Sequence, residues 1–236
     1  MSPPNDFNDP FDCRITINYF LLNTPEKIET FIEKKINKLR KIIIENGDDI
    51  NDAKEKLRKR LQDISKFQNQ REILEFEEMD KHFGILSLSG RWNSILMWSH
   101  YAEYHTGFCL GFNESKMRNS GLFGKGSPIT YSNDFPEIDP LVEEHIMVKS
   151  FKQTHFKAKD WEYENEYRLM NLYPNQPSKE ERVITFPEEC IEEINLGVDI
   201  SEKHKSEIIE EARKRKIKTF QLKKDAFKFT LKRVEI

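Results

Sequence analysis

One continuous stretch, residues 84–112 (GILSLSGRWNSILMWSHYAEYHTGFCLGF), constrains the fold most, because three apolar patterns follow one another in it. At its start, Ser87 and Ser89 alternate with apolar residues, which predicts a short strand with both serines on one side. From Asn93 the apolar spacing becomes helical, and Gly107 is a helix-stop residue. A second apolar strand is predicted directly after that glycine. The stretch therefore predicts a compact strand–helix–strand unit.

Residues 24–82 have a different character, with apolar residues at helical spacing and interleaved positive and negative charges. Thr24, followed by a proline, predicts the start of a helix that ends at the next Asn-Gly pair. Asp48 or Asp49 then caps a second helix extending to Met79. We interpret this segment as a helical hairpin that packs through one face.

The length and composition favour one large core with a charged, helical addition. The chain has 236 residues, of which 33% are charged and 37% hydrophobic, and its net charge is -3. We therefore predict a single α+β domain, residues 1–236, with a mixed, mostly antiparallel β core and the helical insertion at about 24–82. The net charge gives no general argument for binding nucleic acid.

Cysteine spacing and the absence of targeting signals bear on the compartment. Cys13, Cys109 and Cys190 are widely separated and form no CxxC or CxxH pattern, which predicts reduced thiols and no metal site of the zinc type. The sequence contains no signal peptide and no apolar run of membrane length. We expect a cytoplasmic protein with no membrane partner.

A second informative stretch, residues 161–169, alternates aromatic and charged side chains. As a strand it places three glutamates and an arginine on one face. Carboxylates gathered on a half-buried face repel one another, so we expect at least one of them to serve a function. The alternative is a short helix in which Glu164 and Arg168 form a surface pair.

Four motifs together resemble a large bacterial family of uncharacterised domains that is often found among phage-defence genes. The motifs are FNDPFD (7–12), LSLS (86–89), MWSHYAEYHTGFCLGF (97–112) and WEYENEYR (161–168). Their order also looks like that of ADP-ribosyltransferases, in which a Ser-x-Ser strand precedes a Glu-x-Glu strand. This resemblance implies a split sheet and an activity on NAD, as a transferase or an NAD glycohydrolase of a toxin-like defence effector.

The resemblance also implies roles for particular residues. Ser87 and Ser89 take the place of the serines that support the nicotinamide-side ribose. Glu166, with Glu164 before it, takes the place of the catalytic carboxylate. Cleavage of the bond to nicotinamide leaves an oxocarbenium-like centre, which a fixed carboxylate stabilises electrostatically.

Further side chains of the same motifs are candidates for binding NAD. Trp98 and Tyr101 are candidates for stacking on nicotinamide or adenine, and Arg168 is included in the cofactor-binding set. His100 or His105 can bind a phosphate or carry a proton, and the alternative for each is a hydrogen-bonded structural role. The acceptor of ADP-ribose is left open, with protein and nucleic acid both possible.

Other interpretations compete with this one. The resembled family has a further segment with a Tyr-Lys-Tyr-Arg-like strand before FNDPFD, so we expect this chain either to be truncated or to have lost that motif. One competing function is a metal-dependent nuclease or phosphoesterase, in which carboxylates and a histidine gather magnesium. Another is a degenerate binding module without turnover. The residues of the nuclease hypothesis are Asp9, Asp12, Glu164, Glu166 and His100.

Overall fold

The computed structural model describes residues 1–236, apart from the side chain of Lys125. Its contacts divide the chain into two compact units. Unit 1 contains residues 1–3, 82–131 and 158–236, and unit 2 contains residues 4–81 and 132–157. The sheets are mostly antiparallel and are accompanied by helices, so the predicted mixed α+β class is confirmed.

Unit 1 contains two sheets. The strands of the first sheet are β1 (Phe83–Ser89), β3 (Lys125–Pro128) and β6 (Glu166–Leu172). They have the order β1-β6-β3 and are antiparallel throughout. The strands of the second sheet are β2 (Phe108–Phe112), β7 (Ile191–Leu196), β8 (Lys218–Lys224) and β9 (Leu231–Glu235). They have the order β2-β7-β8-β9, and among their described pairings only β7–β8 is parallel.

Helices α1 (Pro25–Glu45), α2 (Ile50–Leu61) and α3 (Ile64–His82) begin in unit 2, which also holds α6 (Ile146–Thr154). Unit 1 contains α4 (Ile95–Tyr101), α5 (Glu114–Asn119) and α7 (Glu202–Arg215). The short strands β4 (Thr130–Ser132) and β5 (Phe156–Ala158) lie where the chain passes from one unit to the other. Among the described residues, no helix combines the length and the apolar character needed to cross a membrane.

The helical segment of unit 2 begins as its sequence predicts. The Thr24 hydroxyl accepts the Lys27 backbone N–H at 3.3 Å, and Asp49 caps α2. The single second helix predicted as far as Met79 is wrong, because α2 ends and α3 begins at Ile64. The cause is local: a carboxylate oxygen of the intervening Asp63 accepts the Lys66 N–H at 2.9 Å, as an N-cap does.

An aromatic group forms the centre of the unit 2 core. Tyr19, Phe31 and Phe67 are each at least 93% buried and meet edge to face, with Tyr19 lying 5.0 Å from Phe67 between ring centroids. The apolar faces of α1 and α2 close around them. Edge-to-face contacts of this kind add to the stabilisation from burial alone, so the amphipathic helices are held by one shared core.

In unit 1, α4 ends at Tyr101, earlier than the Gly107 stop predicted from sequence. Three successive residues after it adopt left-handed backbone conformations, with φ values of 44°, 55° and 73°. Gly197 makes this turn possible, because a Cβ at that position would lie 2.1 Å from the carbonyl oxygen of the last of them, His105. The Gly197 N–H instead donates to the Gly107 carbonyl at 2.9 Å. The left-handed residues are Glu103, Tyr104 and His105.

Candidate functional site

Strands β1 and β6 pair antiparallel and bring the predicted serines beside the predicted acid. Ser89 lies directly opposite Glu166, and Ser87 lies opposite Arg168. Residues opposite each other in an antiparallel pair project from the same face of the sheet. One face of the sheet therefore presents two neighbouring cross-strand pairs, the Ser89 hydroxyl with the Glu166 carboxylate and the Ser87 hydroxyl with the Arg168 guanidinium.

Glu166 and Arg168 form a buried ion pair on this face. The Arg168 Nε donates to Glu166 Oε1 at 2.5 Å, and Nη2 donates to Oε2 at 3.1 Å. The two side chains are 1% and 4% exposed. A bidentate pair fixes both carboxylate oxygens in one orientation, so Glu166 is held rigidly although it lies at the start of its strand.

Glu164 lies outside the strand. The prediction of one strand across residues 161–169 is wrong, since Lys159–Glu164 is a 3-10 helix and β6 begins only at Glu166. Asn165 separates them in a left-handed conformation with a φ of 46°. This reversal breaks the alternation, so the glutamates of the motif do not share a sheet face.

Glu164 is nevertheless buried, at 3% exposure, and is tied to two of the other predicted residues. The Tyr101 hydroxyl donates to Glu164 Oε1 at 2.7 Å. The Ser89 hydroxyl donates to the Glu164 backbone carbonyl at 2.7 Å and also lies 3.1 Å from the Arg91 carbonyl. Ser89 therefore helps to fix the backbone that carries Glu164, while Ser87 is exposed on the same strand.

The remaining predicted residues lie in and after α4. Trp98 is 3% exposed, packs with Leu222 and Leu231, and donates its indole N–H to the Trp92 carbonyl at 2.6 Å. These contacts favour a core role rather than stacking on a ligand. Tyr101, by contrast, is 54% exposed although its hydroxyl reaches a buried carboxylate.

The two histidines have different surroundings. His100 is exposed, and its ring centroid lies 6.1 Å from that of Tyr101 and 6.2 Å from that of Tyr163. His105 is half-buried in the left-handed turn, with its Nε2 3.1 Å from the Ser99 hydroxyl. The structure thus brings Tyr101, and His100 beside it, towards the acids and places His105 in a hydrogen-bonded structural position.

A cleft of about 520 Å³ opens within unit 1, in the size range of small-molecule sites. Ser87 and Ser89 line this cleft. Leu88, Tyr167 and Leu169 line it as well, and they alternate with the hydroxyl and acid residues along β1 and β6. Cys109 also lines the cleft. The pKa of its thiol is raised, mainly because the thiol is largely buried and to a smaller extent because Glu193 is nearby. A raised pKa keeps this thiol protonated and a weak nucleophile at neutral pH.

A second cavity, of about 600 Å³, lies beside the exposed ring of Tyr101. Glu103, Asp199 and Glu207 give it an acidic lining. Since the Tyr101 hydroxyl also binds Glu164, this residue connects the second cavity to the buried acid. Sequence reasoning missed this connection, because it joins a helix end to a distant 3-10 helix.

The acids of the nuclease hypothesis from the first motif are in unit 2. Asp12 is 4% exposed and lies 3.6 Å from the Lys157 ammonium. Asp9 is 8% exposed, and one of its oxygens accepts the Phe11 N–H at 2.9 Å, as expected of a turn. Across the part of the chain that the structure describes, no group of three or more His, Cys, Asp or Glu side chains is spaced for a metal ion.

Comparison with known families adds one finding. Residues 97–169 match the model of a family described as a protein of unknown function, DUF2971. The predicted resemblance to an uncharacterised family is confirmed over this segment, which contains most of α4, the left-handed turn and the acid motif. No curated protein and no solved structure showed significant similarity to the chain.

Proposed function

We propose that unit 1 cleaves the nicotinamide bond of NAD and passes ADP-ribose to water or to an acceptor. The observation that supports this proposal is the register that sets Ser89 opposite Glu166, with Ser87 exposed on the same face. Cleavage leaves positive charge on the ribose, and a carboxylate that is already oriented stabilises that charge without reorganising. Glu166 is oriented in this way by its two bonds to Arg168.

We assign a distinct part to each side chain of the site. Glu166 stabilises the developing cation. Arg168 positions Glu166 rather than binding a phosphate, because the Arg168 side chain is only 1% exposed. Glu164, held by Tyr101 and Ser89, fixes the chain that leads into β6 and adds negative charge beside the site. Ser87 offers its hydroxyl to the ribose, and the Tyr101 ring offers an exposed aromatic face.

The test is to incubate the protein with NAD and to measure the released nicotinamide by chromatography. Glu166→Gln keeps the size of the side chain and removes its charge, so we expect a rate loss of about hundred-fold or more. Glu162→Gln is the matched control, because this exposed glutamate lies in the same motif and its loss should leave the rate unchanged. A rate unaffected by Glu166→Gln contradicts the assignment.

The same assay separates the competing functions. NAD labelled on its adenylate part distinguishes transfer to a protein or nucleic-acid acceptor from release of ADP-ribose into water. NAD binding without nicotinamide release by the wild type indicates a binding module, and nucleic-acid cleavage that depends on magnesium indicates a nuclease. Either result overturns the proposal.

A toxin-like role in phage defence is the biological part of the proposal. If NAD cleavage is the harmful activity, expression of the wild-type chain should lower cellular NAD and arrest growth. Glu166→Gln should relieve both effects, and Glu162→Gln should relieve neither. Growth arrest that persists with Glu166→Gln, at equal protein level, contradicts the link between toxicity and NAD cleavage.

A further inference from the structure

The hairpin formed by β8 and β9 presents two aromatic rings to solvent. Phe227 and Phe229 have relative exposures of 107% and 97%, so neither ring packs on the rest of the protein. Every other large hydrophobic residue described as exposed is at most 82% accessible. Two such side chains at one tip are unfavourable in water and indicate a surface that is covered in use.

The hairpin that carries these rings is stabilised by strand pairing and by buried apolar side chains. Its strands pair from Phe220 opposite Glu235 to Lys224 opposite Leu231. Leu222 and Leu231 are buried in the cluster around Trp98. The tip is therefore a fixed projection from the core of unit 1.

The loop that carries the rings is itself closed by hydrogen bonds. The Asp225 N–H donates to the Thr230 carbonyl at 3.0 Å, and the Lys228 N–H donates to the Asp225 carbonyl at 3.4 Å. Because the loop is ordered before it meets a partner, docking costs little further conformational entropy.

Positive charge surrounds the two rings. Four lysines lie within the hairpin around the tip, and all four are exposed. One carboxylate, that of Asp225, lies among them, 3.8 Å from the Lys228 ammonium and 3.9 Å from that of Lys232. The tip thus has a net positive charge although the chain as a whole is at -3. The four residues are Lys223, Lys224, Lys228 and Lys232.

We propose that this hairpin tip docks on a membrane surface rich in anionic lipids, with Phe227 and Phe229 entering the acyl region and the lysines facing the headgroups. An anionic partner with an apolar interior matches both features of the tip. Single-stranded nucleic acid also combines charge with stacking, but its sites are grooves that hold the bases. Rings at 107% and 97% exposure lie in no groove, whereas a bilayer needs none.

The expectation of no membrane partner rested on the lack of an apolar run of membrane length. Docking on the surface of a membrane needs no such run, so the proposal departs from that expectation. It is also independent of the proposed NAD chemistry. Each lysine near an anionic bilayer and each inserted phenylalanine contributes separately to binding. Attraction to the headgroups should weaken as salt rises, since salt screens exposed charges.

The test is co-sedimentation of the full chain with vesicles of phosphatidylcholine alone or mixed with phosphatidylserine. We expect binding to the mixed vesicles, weakened by salt, and little binding to phosphatidylcholine alone. The double variant Phe227→Ser/Phe229→Ser should reduce binding by about tenfold or more. Phe135→Ser, at a residue 56% exposed elsewhere, is the matched control and should leave binding unchanged.

The charges are tested in the same assay, with Lys223→Glu/Lys224→Glu expected to abolish the preference for phosphatidylserine. Lys203→Glu, at an exposed residue of α7, is the control. A Phe229→Trp variant adds a probe at the tip, whose emission should shift to the blue with mixed vesicles and be quenched by brominated acyl chains. Unshifted emission, equal binding to both vesicle types, or binding only to single-stranded oligonucleotides overturns the proposal.

Discussion

The acid motif of unit 1 and the helices of unit 2 are both rich in charge, yet they use it in opposite ways. In unit 2, Arg58 bonds Glu29 and Glu55 at 2.7 Å, and all three side chains are 38–52% exposed. In unit 1, the Glu166–Arg168 pair has similar distances at 1% and 4% exposure. Burial, rather than bond length, therefore decides what each pair contributes, because water screens the exposed pair and is excluded from the other.

The largest expected effect is on the buried pair. Arg168→Met leaves Glu166 buried beside an apolar side chain, and we expect it to lower the free energy of unfolding by about 3–5 kcal/mol. Urea denaturation followed by tryptophan fluorescence measures this, since all three tryptophans are in unit 1. The matched change Arg58→Met, followed by circular dichroism, should leave the midpoint almost unmoved. If both variants shift the denaturation midpoint equally, the buried pair does not stabilise the protein more than the exposed pair does.

The next effect tests whether Glu164 also behaves as a buried charge. Tyr101→Phe removes the hydroxyl that donates to Glu164 Oε1, and a lost bond to a buried carboxylate should cost about 1–3 kcal/mol. The same denaturation experiment applies. Tyr104→Phe, at a neighbouring residue that is 82% exposed, is the control. If Tyr101→Phe is as stable as this control, water takes the place of the Tyr101 hydroxyl as hydrogen-bond donor to Glu164.

A smaller effect is expected at the start of α1 in unit 2. Thr24→Ala removes the side chain that accepts the Lys27 N–H, and the expected cost is about 1 kcal/mol. Circular dichroism during thermal or urea denaturation follows the helices directly. Thr24→Ser keeps the hydroxyl and should restore most of the loss. If serine and alanine destabilise α1 equally, the hydroxyl is not responsible.

The smallest effect concerns an exposed carboxylate of α7. Hydrogen bonds from Lys214 first and then Arg215 lower the pKa of Glu211 to about 2. A lowered pKa means that the contribution of Glu211 to stability is present above its ordinary value of 4.5 and is lost as pH falls towards 2. Because the group is exposed, we expect a small change in stability that salt weakens further.

Carbon-detected NMR titration of the Glu211 carboxylate measures this pKa directly. Lys214→Ala removes the largest cause and should raise the pKa towards its ordinary value. A wild-type pKa already at the ordinary value in low salt would show that the surface pairs of α7 are not formed in solution.

Sequence determined the features that depend on neighbouring residues. The cap of α1 at Thr24 could be read directly, and the cap of α2 was narrowed to Asp48 or Asp49, because an N-cap side chain binds a backbone N–H two or three residues later. Strands β1 and β2 followed from their apolar patterns, and the two serines of β1 do point to one face. These interactions close within one turn of helix or one strand, so local sequence contains all their partners.

Only the tertiary structure decided where the acids lie. The alternation of aromatic and charged residues at 161–169 predicts a continuous strand. In the structure, however, the Ser89 hydroxyl donates to the Glu164 carbonyl, and the Gly90 N–H donates to the Asn165 carbonyl at 2.8 Å. These bonds join segments about 75 residues apart in sequence and favour the left-handed break at Asn165. Which carboxylate is paired and which surface is buried depends on such distant partners, and no local pattern contains them.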